Sequence, residues 1–445
     1  MPLPHTWIAT IWEIYLQPPK GVPSHPGSVW WLKKVIYGLK QARLEWFCTL
    51  QSHIVPLGYS QSGHDPRLYV INPESFILIY VNDILLFETK EKMGQMKSRV
   101  ASKYEMCDLG EVQLFLAIEI THDQSHWTIT IDQCQYVQKI LECFGIDNAW
   151  PVSTPMAANS KLPKLDAPEA DQCLYQSMLG SLMYAAIGTC PDIMYTVHFL
   201  SQFSIAPGPA HMTAIKQVYW YLNGMQNLGL TFHRNHIRTS ITAFSNADWA
   251  GNPSSQRSVS GYAFLFCGAT VAWSAKKQLT LVLSSTEAEY MSMTHTGKEV
   301  VFLAHLFADV GIHLNTPIPL LVNNQSAIAL AENPIFHAWS KHIGVQHHWI
   351  HEKIEDEDLW LQYIPTTDQV ADIFTKPLDG EKFQQFWAML GLVEVSMHWG
   401  GVGEYNATYP YLVCNAFSFS FFSFWFKCQV WPSVLLIIFK SSIGI

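Results

Sequence analysis

Charge is what this 445-residue sequence has least of, since only 14% of its residues are Asp, Glu, Lys or Arg, against about 25% in an average soluble domain. Arginine is scarcer still. Of 27 Lys and Arg, only Arg43, Arg67, Arg99, Arg234, Arg238 and Arg257 are Arg, and none follows residue 257. The net charge of −9 argues against strong, non-specific phosphate binding by the whole molecule and leaves room only for a local basic face. The nine Cys are scattered singly with no C-x-x-C pair, which excludes a secreted disulfide framework and fits a reducing compartment. The start, Met1-Pro2-Leu3-Pro4-His5, lacks a charged segment followed by an apolar core, so it does not read as a signal peptide. A cytoplasmic or nuclear setting, not a secreted one, is expected, and the sequon Asn406-Ala407-Thr408 then has no meaning. What the sequence has is apolar bulk. At 49% apolar residues it is not a disordered chain, and its length suggests two or three domains.

Four stretches of different character follow one another. Residues 1–155 mix short apolar runs with helical patterns and end at Ser153-Thr154-Pro155. Residues 156–238 begin with a link poor in large apolar side chains, from Ala157 to Asp171. They then read mostly as helix, at Leu174–Ile187 and Ala210–Leu222. Residues 239–378 alternate strands and helices, the pattern of an α/β or α+β domain. From Tyr411 the composition changes to YLVCNAFSFSFFSFWF, Lys427, CQVWPSVLLIIF and Lys440. Neither half reaches the ~20 uninterrupted apolar residues of a membrane span, so a membrane partner is not expected. Residues 397–445 read as an unrelated apolar, aromatic tail past the end of a domain.

Two β-rich runs, Phe76–Val81 and Ile84–Phe87, flank Asn82-Asp83. This is a hairpin with polar residues at its tip, between strands too apolar to be exposed. Upstream stand Glu13-Ile14-Tyr15-Leu16-Gln17-Pro18-Pro19-Lys20-Gly21 and Lys33-Lys34-Val35-Ile36-Tyr37-Gly38-Leu39-Lys40-Gln41-Ala42. Downstream come Asp108-Leu109-Gly110-Glu111 and Val152-Ser153-Thr154-Pro155-Met156. In this order the motifs resemble the reverse transcriptase of copia-type LTR retrotransposons. The resemblance implies a polymerase palm whose Y-V-D-D hairpin holds Mg²⁺ for addition of a dNTP. It also implies nucleic-acid contacts at Lys33, Lys34, Lys40 and Gln41. The first Asp of that hairpin is Asn82 here and only Asp83 remains. The family's other palm Asp falls at or before Met1, so the resemblance implies a truncated palm. Two-metal phosphoryl transfer holds two dications about 4 Å apart with several anionic oxygens. One Asp cannot assemble such a site.

Between residues 239 and 378 the expected order is strand Thr242–Ser245, hairpin Tyr262–Phe266 and Val271–Ser274, a helix capped by Ser284-Ser285-Thr286-Glu287, strand Leu320–Val322, helix Gln325–Ala331, strand Trp360–Ile364 and helix Gln369–Thr375. That is the order of an RNase H-like fold. Ser245-Asn246-Ala247-Asp248-Trp249-Ala250-Gly251, Ser284–Tyr290, Asn323-Asn324-Gln325-Ser326-Ala327 and Gln369-Val370-Ala371-Asp372 through Pro377-Leu378 resemble the copia-type RNase H. Its four metal carboxylates then fall at Asn246, Glu289, Asn323 and Asp372, and two of the four are neutral amides. Glu289 is preferred to Glu287 because Tyr290-Met291-Ser292 then continues the family's helix start. The resemblance adds a family C-terminal helix at residues 379–396 and an RNA–DNA hybrid or DNA as partner, gripped in part by Lys276 and Lys277. Asp248 is a conceivable stand-in for Asn246. A zinc site among His337, His342, His347, His348 and His351 lacks a further ligand fixed by sequence.

Asn82, Asn246 and Asn323 share a cause, because Asp to Asn is one G-to-A transition. Cys190, Trp339 and His351, where the family typically has Arg, fit the same mutational class, as does the low Arg count. The expected whole is α+β and multidomain: a partial palm, a helical connection and an RNase H-like α/β domain. Its incomplete metal sites are Asp83, Glu289 and Asp372, and it is catalytically inactive. A residual RNase H and a co-opted nucleic-acid-binding scaffold are the alternatives.

Overall fold

In the computed structural model, residues 14–18, 21–23, 25, 27–32, 39, 42–73, 75–81, 83–104, 106–158, 160, 162–234, 240–249, 251, 256–332, 344–395 and 434–441 are described. They belong to two compact units, residues 1–112 with 433–445, and residues 113–432.

In the first unit, β1 (Tyr15–Leu16) pairs with β2 (Trp30–Trp31). Helix α1 (Ala42–Ile54) is followed by β3 (Ser60–Gln61), β4 (Leu68–Asn72), β5 (Ser75–Tyr80), β6 (Asp83–Thr89), α2 (Lys90–Ala101) and β7 (Met106–Glu111). Leu50 and Ile54 of α1, Met93, Met96 and Val100 of α2, and Ile77 and Ile79 of β5 form one buried cluster. Each such side chain contributes about 1.5–3 kcal/mol by leaving water. The opposite face of the hairpin is also buried, with Phe76 and Phe87 stacked 4.3 Å apart. That explains why these strands read as continuous apolar runs and not as alternating ones.

The second unit opens with β8 (Leu114–Phe115), β9 (Ile118–Asp123), β10 (Thr128–Asp132) and α3 (Cys134–Cys143). Next come the helices of the connection, α4 (Gln172–Gly188), α5 (Met194–Ser201) and α6 (Pro209–Gly224), and then β11 (Leu228–His233). Asp171 caps α4 by accepting from the Leu174 N–H, and Pro209 opens α6 at a position where its missing N–H costs nothing. The remaining elements are β12 (Ile241–Ala247), β13 (Val259–Phe266), β14 (Ala269–Lys277), α7 (Ser285–Asp309), β15 (Ile318–Val322), α8 (Gln325–Glu332), α9 (Gly344–Glu355), β16 (Leu359–Tyr363), a 3₁₀ turn Val370–Phe374, α10 (Gly380–Met389) and β17 (Leu392–Glu394).

Two five-stranded sheets result. One runs β17-β11-β10-β9-β8 and is antiparallel throughout. The other runs β14-β13-β12-β15-β16, with β12, β13 and β14 antiparallel and β12, β15 and β16 parallel. Three antiparallel strands and then two parallel ones, with a helix between each of the last three, is the RNase H-like topology expected from the sequence. The two sheet systems are tied to the helices of the same unit: the Trp273 indole N–H donates to the Ala186 carbonyl at 2.8 Å.

The first compact unit ends at Val112, because β10 pairs with β11, which pairs in turn with β17, far along the chain. The expected helix Gln369–Thr375 is a short 3₁₀ helix, Val370–Phe374. One sequence expectation needs amending. The tail is not left without a partner: its segment β18 (Val434–Ser441) is a strand of the first unit's sheet, whose order is β3-β4-β5-β6-β18-β7. Among the described residues no helix is long and apolar enough to cross a membrane.

Candidate functional site: an acidic cluster closed by lysines

In the hairpin of the first unit Tyr80 stands opposite Asp83. Asp83 therefore opens strand β6 and is not at the tip. Val81 takes φ +52°, the left-handed first position of a tight two-residue hairpin. The Trp46 indole N–H holds its carbonyl at 2.7 Å. Asn82 lies outside the described residues, as do Lys33, Lys34, Lys40 and Gln41.

In the second unit, three of the four expected positions converge. Asn246 ends the buried strand β12, Glu289 lies one turn into α7, and Asp372 sits in the 3₁₀ turn. All three are buried. Helix α7 approaches β12 closely because small hydroxyls line the contact. Thr296 donates to Ser245, Ser245 to Ser292, and Ser292 to the Asn246 carbonyl, at 2.7–3.1 Å. The 3₁₀ turn is set by Gln369, whose amide donates to the carbonyls of Ser245 on β12 and Leu321 on β15 at 2.9 and 3.2 Å. Gly261 stands opposite Asn246 on β13. A Cβ there would lie 2.7 Å from Phe374 Cβ and 3.0 Å from the Ala371 carbonyl, so glycine is what lets the turn carrying Asp372 reach the sheet. Neither Gly261 nor Gln369 stood out as a site residue in the sequence. Gln369 lay inside a recognised motif, but Gly261 left no local signal.

The electrostatics of the cluster are unusual for four would-be carboxylates. Asn246 Nδ2 donates to Asp372 Oδ1 and, at 3.2 Å, to Thr375 Oγ1. Lys376 Nζ lies 3.0 Å from Asp372 Oδ1, and Lys382 Nζ lies 2.7 Å from Oδ2. Lys382 is aimed by its place in the first turn of α10, where Asp379 caps the helix through the Lys382 N–H at 2.9 Å. Both oxygens of a fully buried carboxylate are thus met by donors from the chain itself. Glu289 Oε2 accepts the Ala247 N–H at 3.0 Å. Burial, ahead of the nearby Asp372 charge, pushes its pKa up to about 8.

The other candidates make no hydrogen bond to this cluster, although the Asp248 charge acts on Glu289 and that of Lys376 on Asp248. Asn323 Nδ2 donates to Thr366 Oγ1 at 3.3 Å and not to Asn246, Glu289 or Asp372. Asp248 points at β13, where it accepts the Val259 N–H, and burial raises its pKa to about 6. Glu287 accepts the Leu283 N–H at the start of α7. His351 is committed at both ring nitrogens, to the Ala331 carbonyl at 3.1 Å and to Glu355 at 3.2 Å. His337 and His342 lie outside the described residues, as do the side chains of His347 and His348. Among the described residues, Glu119, Asp132 and Cys134 are a group whose possible ligand atoms lie within 4.8 Å of one another.

Lys277 belongs to a small basic face. Its Nζ reaches Gln202 Oε1 at 3.3 Å. Burial, and then the charges of Arg257 and Lys164, hold its pKa below the usual lysine value. Lys276, the preceding residue of β14, projects from the opposite face of the sheet, where its charge acts on His295 and Glu299 of α7. Neither Lys164 nor Arg257 stood out in the sequence, because each is isolated there.

Comparison with known proteins agrees with the motifs. Residues 7–158 match the model of the reverse transcriptase (RNA-dependent DNA polymerase) family. The chain is 34% identical over 394 residues to the retrovirus-related Pol polyprotein from transposon TNT 1-94 of Nicotiana tabacum, a match covering 85% of this chain and 29% of that protein. It is 30% identical over 295 residues to the putative transposon Ty5-1 protein of Saccharomyces cerevisiae, covering 64% of this chain and 95% of that one. Among solved structures, RNase H1 from the archaeon Halobacterium salinarum NRC-1 aligns at 19% identity with a TM-score of 0.23, over 31% of this chain and 94% of its own. That likeness is too low to add to the topology. The chain spans less than a third of the length of the tobacco polyprotein it matches.

Proposed function

The chain belongs to the copia-type retrotransposon Pol family, and from that premise we propose that it is a Pol-derived protein that has lost metal-dependent chemistry while keeping a surface for nucleic-acid backbone. The observation that carries this reading is the state of Asp372. A two-metal site stabilises the attacking and leaving oxygens of a phosphodiester by holding two divalent ions between carboxylates. Here the place of those ions is contested by the Lys376 and Lys382 ammonium groups, and Asn246 offers Asp372 a hydrogen where the family has a second carboxylate. Glu289, with its pKa raised to about 8, gains a proton more readily than an ordinary carboxylate, which further weakens its pull on a cation. The residues present do not fit a pair of Mg²⁺ ions. What they do fit is an internally hydrogen-bonded node, with Asp372 held between two ammonium groups, that keeps the fold closed without metal.

The retained partner is an RNA–DNA hybrid or DNA, met through Lys164, Arg257 and Lys277. Such contacts act on phosphates, are independent of sequence, and weaken as salt rises. Purified protein with Mg²⁺ or Mn²⁺ is expected to give no primer extension on an RNA template and no cleavage of RNA in a hybrid. Hybrid cleavage that disappears in Asp372→Asn or Glu289→Gln would sink the proposal. For the binding face, Arg257→Ala with Lys277→Ala is expected to weaken hybrid binding about tenfold and to reduce the salt slope by roughly two. An unchanged slope would remove this face from the reading.

A further inference from the structure

The geometry points to a strand-binding slot between β6 and β7, filled by the chain's own C-terminal segment Val434–Ser441. β6 pairs with β5 on one side and with β18 on the other, in continuous antiparallel register from Val434 opposite Thr89 to Lys440 opposite Asp83. Among the described residues β7 is joined to the sheet through β18 alone. Removing β18 would therefore leave β6 with an unpaired edge and β7 with no place in the sheet.

β6 is not built as an edge. Ile84, Leu85, Leu86 and Phe87 are fully buried, and this run has no proline or bulge of the kind that protects exposed edges, the strand's buried charge, Glu88, lying beyond it and accepting the Thr89 N–H. Its free N–H and C=O groups require a partner strand. The segment that supplies one has matching chemistry. Val434-Leu435-Leu436-Ile437-Ile438-Phe439 is an unbroken apolar run, half of it β-branched, with Pro432 before it and Lys440 after it. Left unpaired, such a run is an aggregation hazard, and flanking proline and lysine are the usual guards. The pairing is uneven. Against β6 the register is continuous, whereas against β7 it shifts between Ile437 and Phe439. β6 therefore fixes the register, and β7 is laid onto the outer edge of β18. The slot also reaches the palm hairpin, since its last rung places Lys440 at the register position opposite Asp83.

The occupant is this segment of the same molecule, and the register supplies a direct test in the full chain. Lys440 is paired with Cys107 on β7, and antiparallel partners lie within the Cα separation that a disulfide spans. Lys440→Cys, mildly oxidised at low concentration, is expected to form an intramolecular disulfide with Cys107 in most molecules. Ser441→Cys, which stands opposite Met106, is expected to form at least tenfold less. Equal cross-linking of the two variants, or none in either, overturns the slot. Cross-linked dimers in place of monomers overturn the same-molecule occupant and assign the strand to a second copy. A second measurement uses a chain ending at residue 432 and a labelled peptide of residues 433–443. Hydrogen exchange at residues 106–111 is expected to be fast in the shortened chain and slowed at least tenfold by the peptide. The peptide with Ile437→Pro should have no effect. If exchange at residues 106–111 is as slow in the shortened chain as in the full one, β7 does not depend on β18 and the proposal fails.

Discussion

The two places where the motif resemblance sets metal carboxylates handle their remaining charge in opposite ways. In the second unit the cluster is assembled from β12, α7 and a 3₁₀ turn that are far apart in sequence, and the chain's own donors neutralise it. Asn246 turns a carboxylate–carboxylate repulsion into a hydrogen bond, and Lys376 and Lys382 supply the positive charge. In the first unit Asp83 sits on one strand of a local hairpin, and the new feature there is a strand laid along that hairpin's free edge. A buried, long-range cluster cannot tolerate unpaired charge, since an uncompensated buried ion costs several kcal/mol. A half-buried residue at the start of a strand is under no such constraint. The difference shows which losses a fold has to answer and which it can leave alone.

The sharpest way to press that comparison is to restore the charges. Asn246→Asp with Asn323→Asp returns four carboxylates to the second unit, and Mg²⁺-dependent cleavage of an RNA–DNA hybrid is expected to rise about 100-fold over background. Groups that act as one unit are strongly non-additive, so each single reversion should give less than about tenfold. Asn82→Asp in the first unit is expected to leave primer extension at background, because the hairpin alone still offers only two adjacent carboxylates. Extension by Asn82→Asp, or a folded double revertant with no cleavage, would invert the comparison. The second outcome would also show that Lys376 and Lys382 outcompete the ions even at full negative charge.

A smaller effect tests whether the cluster depends on close approach. Gly261→Val places atoms within 3 Å of Phe374 and of the Ala371 carbonyl, and overpacking of this kind costs about 1–3 kcal/mol. The second unit should unfold at lower urea, with faster exchange at residues 370–376 and no change at residues 76–89. Equal loosening of both regions would mean that glycine serves the fold at large and not the site.

Much of this architecture was legible because the second unit's elements carry local signals. Ser284 caps α7 as read, accepting the Glu287 N–H. The turn between β13 and β14 falls at Cys267-Gly268, both with positive φ. The hairpin of the first unit announced itself through two apolar runs, but its tip was misplaced by one residue, since sequence does not reveal which residue takes the left-handed position. The sheet β17-β11-β10-β9-β8 was not foreseen. Its strands are short and separated by up to the length of the second unit, so no periodicity joins them. Pairing of β18 with β6 escaped for the same reason, since an apolar run declares what it avoids and not what it pairs with. At the cluster, the positions came from motifs, whereas Lys376 and Lys382 closing on Asp372 depended on the turn held by Gln369 and Gly261.

The smallest expected effect comes from a third pair of carboxyl groups, which shows the alternative to an amide. Glu119 on β9 stands directly opposite Asp132 on β10. The pKa of Glu119 is pushed up to about 8, first by burial and then by its hydrogen bond to Asp132 and the Asp132 charge. A proton shared between the two carboxyls does here, reversibly, what the Asn246 amide does permanently beside Asp372. The sign follows from linkage. The folded state keeps a proton on Glu119 up to about pH 8, whereas the unfolded chain releases it near the ordinary glutamate value of 4.5. Between those values the folded state binds more protons, so this pair's contribution is full below pH 4.5 and declines as pH rises toward 8. Glu119→Gln puts a permanent N–H against Asp132 and should abolish that decline. The readout is the difference in melting temperature between the chain and its Gln variant, which cancels the titration of Glu289 and Asp248. That difference should move in favour of the variant by a few degrees from pH 5 to pH 8. A constant difference across this range would mean that the pair does not share a proton, and that the amide at Asn246 has no protonated counterpart in the molecule.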